Sequence, residues 1–221
     1  NPHTWQPALS SAGAAELAGC PVMSGAAENA FCCVRPPGHH AGHDYAMGFC
    51  FFNNVAVAAA HALKAHGLSR VAIIDFDVHH GNGTEDCFAH DGRVLMVGMF
   101  QHPFFPYCGT EVDAFNMVNV PMPGGTDSEA FRQMVDDTWL PRLHEFAPQM
   151  VFVSAGFDAH YEDDLGGMRL FEKDYAWVTE QIMKVAAESA ERRVVSVLEG
   201  GYVLSSLARS VTAHLKVLAG I

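Results

Sequence analysis

With 221 residues, 49% of them hydrophobic and 17% charged, the chain is long and apolar enough for one α/β domain with a sizeable core, which excludes a disordered or fibrous protein. A formal net charge of -12 argues against direct nucleic-acid or anionic-membrane binding, yet leaves a cationic substrate open. No signal peptide and no bilayer-length apolar run is read, and the six cysteines contain no C-x-x-C pair; the expectation is a cytoplasmic protein with reduced thiols.

Residues 4–17 are Ala-rich and read as a helix, with Pro7 in its first turn and Gly19-Cys20-Pro21 interrupting it. Residues 30–34 read as a short strand, with Cys32 and Cys33 on opposite faces. Arg35-Pro36-Pro37-Gly38-His39-His40-Ala41-Gly42-His43 cannot be helix or central strand, and Gly48-Phe49-Cys50-Phe51-Phe52 prolongs that loop. Asn53 or Asn54 caps a helix to about His66, closed by Gly67.

Residues 71–74 are β-branched and apolar, the pattern of a buried parallel strand. They run straight into Asp75-Phe76-Asp77-Val78-His79-His80-Gly81-Asn82. In extended backbone Asp75, Asp77 and His79 share one side, and Phe76 and Val78 the other. A short helix is predicted over 84–88 and a strand over 94–99, then a long loop over 101–115 containing Phe104 and Phe105. A brief strand at 118–120 leads to a helix capped by Asp127 or Ser128 and running to Phe146. Strands at 150–153 and 194–198 and helices at 172–190 and 204–218 complete the chain.

Alternating strands and helices predict an α/β domain over residues 1–221 with a mainly parallel sheet flanked by helices. Four apolar strands end in polar or glycine-rich clusters: Arg35 to His43, Asp75 to Asn82, Gly156 to His160, and Glu199 to Tyr202. Open parallel sheets place their sites at the carboxyl ends of strands, so the four clusters are expected to share a crevice. Asp77, His79 and Asp158 then offer three ligands and an open fourth position. Oxygen and imidazole donors suit zinc, with Fe(II) and Co(II) as alternatives. His39 and His40 are placed to handle protons, and the Tyr202 hydroxyl to meet a developing oxyanion. The bland alternative makes the acids helix caps and the histidines loop residues; so many ionisable groups after a strand have no packing purpose.

Arg35 to His40, Gly48 to Asn53, Asp75 to Thr84, Gly156-Phe157-Asp158 and Glu199-Gly200-Gly201-Tyr202 resemble the zinc-dependent histone deacetylases. The Pro-Pro-Gly before the His pair is similar to class II enzymes and bacterial histone deacetylase-like amidohydrolases. The resemblance implies a three-layer arginase/deacetylase-like fold and one catalytic zinc on Asp77, His79 and Asp158. It makes His40 the general base and acid, oriented by Asn82, and His39 an electrostatic partner paired with Asp75. It assigns Tyr202 to the carbonyl oxygen, and Gly48, Phe49, Phe105 and Leu165 to a slot for an acyl-lysine stem. It implies a preceding N-terminal segment and a structural potassium ion. Gly98 stands where relatives carry a serine at that site, leaving the carbonyls of Asp75, Asp77, His79 and Met99 as its ligands.

The expected activity is hydrolysis of an acylated lysine side chain or similar amine. The alternatives are an acetylpolyamine amidohydrolase of the same family and a non-catalytic binding module with a vestigial site. Leu165 gives the rim apolar surface and no carboxylate, which suits a peptide. A homo-oligomer is left open.

Overall fold

A computed structural model describes residues 3–111 and 114–221. Its centre is a six-stranded, all-parallel sheet in the order β1-β6-β5-β2-β3-β4. The strands are β1 (Asn29–Cys32), β2 (Val71–Asp75), β3 (Val94–Gln101), β4 (Met117–Met122), β5 (Met150–Ala155) and β6 (Val194–Leu198). In register, Asp75 faces Gly98 on β3 and Ser154 on β5.

Alternation along β2 divides the core in two. Ala72 and Ile74, continued by Phe76 and Val78, pack under Phe131, Trp139, Val178 and Ile182. Val71 and Ile73 turn to the opposite face, against Ala15, Val22, Val55 and Ala59. The first layer is α4 (Ser128–Met134), a π-helical turn (Val135–Trp139), α5 (Leu140–Phe146), α6 (Glu172–Ser189) and α7 (Leu204–Leu218). The second is α1 (Trp5–Met23) and α2 (Asn54–Ala65), with the short α3 (Asn82–Phe88). A fully buried Val, Leu, Ile or Phe contributes roughly 1.5–3 kcal/mol, so both layers are needed to cover so apolar a sheet. The three-layer, parallel α/β architecture is the one expected.

Most local signals act as predicted. Asn53 Oδ1 accepts the N–H of Ala56 at 3.0 Å and starts α2, and Gly67 leaves it with φ +67°. Asp127 Oδ1 caps α4 by accepting from Ala130 N at 3.1 Å. Cys32 is buried and Cys33 exposed, as alternation requires.

One expectation is corrected here. Helix α1 is not interrupted at Gly19-Cys20-Pro21 but runs through to Met23. Proline φ is compatible with helix, and the hydrogen bond that Pro21 cannot donate would have gone to Leu17, which is exposed, so water can serve its carbonyl. The predicted helix to Phe146 runs its full length from Ser128, with a π-helical turn at Val135–Trp139 just ahead of Pro141. The loop predicted over 101–115 is present where described, and Val112 and Asp113 lie outside the described residues.

The chain steps outward from β2 to β3 and β4, then returns to β5 on the other side of β2. That reversal is a topological switch point, where open α/β sheets bind ligands. The four polar clusters follow β1, β6, β5 and β2, which are contiguous in the sheet. Among the described residues no helix is long and apolar enough to cross a membrane.

Candidate active site

Where β2 ends, backbone and side chains interlock. Asp77 N–H donates to Asp75 Oδ1 at 3.1 Å, and His79 N–H to Asp77 Oδ1 at 2.9 Å. Asp77, His79 and Asp158 each present a ligand atom within 4.8 Å of the others. His79 Nδ1 lies 2.9 Å from Asp77 Oδ1 and 3.1 Å from Asp158 Oδ2. Each acid is aimed by a backbone donor: Gly200 N–H to Asp77 Oδ2 at 2.9 Å, and Val78 N–H to Asp158 Oδ1 at 3.0 Å.

Two glycines make room for these carboxylates. A Cβ on Gly156 would sit 2.1 Å from Asp77 Oδ2, and one on Gly200 would sit 2.0 Å from Asp158 Oδ2. Both distances are far inside van der Waals contact, so any side chain there would displace the acids. The glycine of Gly-Phe-Asp and the first of Glu-Gly-Gly-Tyr therefore answer to space. Gly201, at φ +127°, answers to backbone conformation.

The donor set suits a divalent cation. Both acids are buried, and Asp158 Oδ2 makes no hydrogen bond of good geometry. Burial and the charge of Asp77 push Asp158 up to about 6. Burial would raise Asp77 too, but His39 and His79 outweigh it and hold its carboxyl below the usual range. At His79 burial opposes protonation, while the neighbouring carboxylates of Asp158 and Asp77 prevail and raise it to about 10. The site selects positive charge, and oxygen and imidazole donors without thiolate fit zinc.

Beside this group, His39 Nδ1 pairs with Asp75 Oδ2 at 3.0 Å, and His40 Nδ1 with Asn82 Oδ1 at 2.7 Å. The His39 and His40 rings lie 4.1 Å apart. Burial resists charge on His39, but Asp77 and Asp75 hold its pKa well above the ordinary value. Burial and the charge of His39 push His40 down to about 3, so His40 is neutral. An amide oxygen accepts only, so Asn82 Oδ1 places the His40 proton on Nδ1 and leaves the Nε2 lone pair free.

A cavity of 450 Å³ reaches the group, lined by His40, Gly48, Phe49, His79, Phe104, Phe105, Asp164, Leu165 and Tyr202. Phe105 stands edge-on to His40 with ring centroids 5.2 Å apart, and Phe49 lies 6.2 Å from the Tyr202 ring. Gly48 backs directly onto His40: its Cβ would fall 2.2 Å from the ring. Burial holds the Tyr202 hydroxyl above the usual phenol range, keeping it a neutral donor. All twelve residues singled out from the sequence thus gather at this end of the sheet. His160 does not join the ligand group; its Nδ1 accepts from Glu162 N–H and its Nε2 faces Glu172. Gly98 adjoins Asp75 and brings no side chain.

Four further contributors are given no role by the sequence, although Phe104 and Glu199 stand inside the loop and motif named above. Phe104 stacks on His79 at 5.5 Å, on the cavity wall beside the predicted Phe105. Asp163 accepts from the N–H groups of Tyr202 at 2.7 Å, Val203 at 3.2 Å and Leu165 at 3.0 Å, tying the tyrosine loop to the rim. Glu199 is buried, and its Oε2 accepts from Gly38 N at 2.6 Å and His39 N at 3.1 Å, clamping the His pair. Burial pushes Glu199 up to about 7. Asp164 corrects the expectation of a rim without a carboxylate: it lines the mouth beside Leu165.

A family model described as a histone deacetylase domain matches residues 1–218. The histone deacetylase-like amidohydrolase of Pseudomonas aeruginosa is 41% identical over 209 residues, 91% of this chain and 55% of its own length. The probable deacetylase of Archaeoglobus fulgidus is 39% identical over 201 residues, 88% of this chain and 56% of its own. The crystal structure of the HDA15 HD domain matches with a TM-score of 0.90 and 37% identity, covering 97% of this chain and 62% of that one. The chain spans little more than half the length of these two curated relatives. With the fold, the ordered motifs and these matches in agreement, this chain belongs to the histone deacetylase family of deacetylase-like hydrolases.

Proposed function

We propose that the protein is a zinc-dependent amidohydrolase that removes an acyl group, acetyl being the simplest, from the side chain of an acylated lysine. One observation carries the reading: a neutral His40 with a free Nε2 lines the same cavity as His79 of the Asp77–His79–Asp158 group.

Asp77, His79 and Asp158 would hold a zinc ion, which would supply Lewis acidity able to lower the pKa of a water to about 7 and to polarise the amide carbonyl. The chain's own residues do the rest. His40 Nε2 accepts a proton from the attacking water as the new C–O bond forms, while Asn82 fixes the ring's tautomer. The same nitrogen returns that proton to the departing amine as the C–N bond breaks, giving a carboxylic acid and an amine, and the acid's remaining proton passes to the amine to leave a carboxylate and an ammonium group. His39 stays charged beside Asp75 and steadies the negative charge that builds nearby. The Tyr202 hydroxyl donates to the carbonyl oxygen as it becomes an oxyanion. Phe49, Phe104 and Phe105 exclude water and receive the methylene stem. A potassium ion held by the backbone carbonyls of Asp75, Asp77, His79 and Met99 belongs to the same proposal as a structural element.

Acetylated polyamines are the second reading, and Asp164 favours it, since a carboxylate at the mouth can pair with a distal ammonium. Leu165 and the aromatic slot favour the peptide. The test is kcat/KM for an acetyl-lysine peptide against N-acetylspermidine and N-acetylputrescine, on the parent and on Leu165→Glu. The parent is expected to prefer the peptide, and Leu165→Glu to narrow that preference. A parent preference for the polyamine of tenfold, or about 1.4 kcal/mol, overturns the peptide assignment.

A further inference from the structure

We propose a second metal site on the α1–α2 face, formed by Cys20, His61 and His66 and suited to a zinc-class divalent ion. Cys20 Sγ and one ring nitrogen from each histidine lie within 4.8 Å of one another. The two rings meet edge-on with centroids 5.3 Å apart. One thiolate and two imidazoles form a softer set than the acids of the active site, and three protein donors leave a fourth position for water.

Three details favour a ligand over an ordinary polar patch. First, Glu16 Oε1 lies 3.2 Å from His61 Nδ1. A carboxylate accepting the proton of one imidazole nitrogen directs the other lone pair outward, the usual support for a metal-bound histidine. Glu16 is one turn before Cys20, so both occupy the same face of α1. Second, His66 Nε2 is screened from solvent and has no hydrogen-bond partner among the described residues. Buried ring nitrogens are rarely left unpaired, and a metal would satisfy this one. Third, the donors lie on two packed helices and not on a free loop: Cys20 within α1, His61 within α2, and His66 at its C-cap.

The site is separate from the active one. Asn53, at the N-cap of α2, donates from Nδ2 to Ala41 O, next to His40. The twelve residues of α2 at 1.5 Å per residue carry its far end about 18 Å away. A metal there would join the C-terminal ends of the two helices that cover one face of the sheet.

Cobalt(II) titration of the metal-stripped, reduced protein separates the two sites, because only this one contains a thiolate. The expected result is two equivalents bound, with a near-ultraviolet thiolate-to-cobalt band. Cys20→Ser and His61→Gln should each lose that band and one equivalent, while Asp158→Ala keeps the band. Cys20 is exposed and His61 partly so, which leaves folding of these variants intact. A parent without the band, or a band that survives Cys20→Ser because another thiol such as Cys108 carries it, overturns the proposal.

Discussion

His40 and His214 are both buried, and both are held neutral with pKa values near 3. In all else they differ. His214 Nδ1 lies 2.7 Å from Thr179 Oγ1 and Nε2 lies 2.9 Å from Ser196 Oγ, so both nitrogens are matched by neutral hydroxyls. Phe31, Phe76 and Phe157 enclose its ring. His40 has one nitrogen held by Asn82, charged neighbours beyond it, and a cavity before it. A depressed pKa alone therefore does not mark a base. An unclaimed lone pair facing open space, next to positive charge, does.

The comparison is tested most severely by removing each ring. His40→Ala should lower kcat by about 10²–10⁴, the usual worth of a general base, with thermal stability nearly unchanged. Turnover close to that of the parent would contradict the role. Tyr202→Phe comes next, at roughly 10²–10³ in kcat with a smaller effect on KM, because its hydrogen bond strengthens only as the oxyanion forms. Steady-state kinetics on acetyl-lysine peptide reads both.

His214→Ala should show the opposite pattern. It opens a cavity in the core and strands two hydroxyls, a loss of about 2–5 kcal/mol in unfolding free energy by urea denaturation, with kcat per folded molecule retained. A smaller effect is the pH dependence of that core. The unfolded chain takes up a proton near pH 6.5 that native His214 refuses until about 3. The unfolded state thus binds more protons in this window, and stability falls as pH falls. The slope approaches about 1.4 kcal/mol per pH unit for this one group. His214→Gln, which cannot titrate, should flatten the stability profile between pH 6 and 4 by about that slope; an unchanged profile would show that His214 is not what titrates.

These contrasts also mark what the chain discloses before it folds. Asp75, Asp77 and His79 are legible because alternate residues share a side, which persists although the strand ends at Asp75 and the chain bends over 77–79, and because an apolar run ending in acids has no packing purpose. The convergence of four strand ends follows from parallel topology, and β1, β6, β5 and β2 are indeed neighbours. Asp163 is not legible, and Glu199 is legible only as part of its motif and not as a clamp, because their partners are backbone N–H groups brought from distant loops. Leu165 is read as a purely apolar rim residue, yet its neighbour Asp164 turns into the same mouth, which only the loop's path decides. Pro21 is misread as a stop because proline's cost depends on the exposure of a carbonyl one turn back. His214 gives no sign of its role, since its two hydroxyl partners lie on other elements.

The central claim is that Asp77, His79 and Asp158 hold one catalytic divalent metal. Its most direct test is a zinc count in a Cys20→Ser background, which removes the α1–α2 site from the tally. Cys20→Ser should bind one zinc per chain. Adding Asp158→Ala should reduce this to near zero and abolish turnover, with the fold retained by circular dichroism. One full equivalent of zinc in the Cys20→Ser/Asp158→Ala protein would contradict the account.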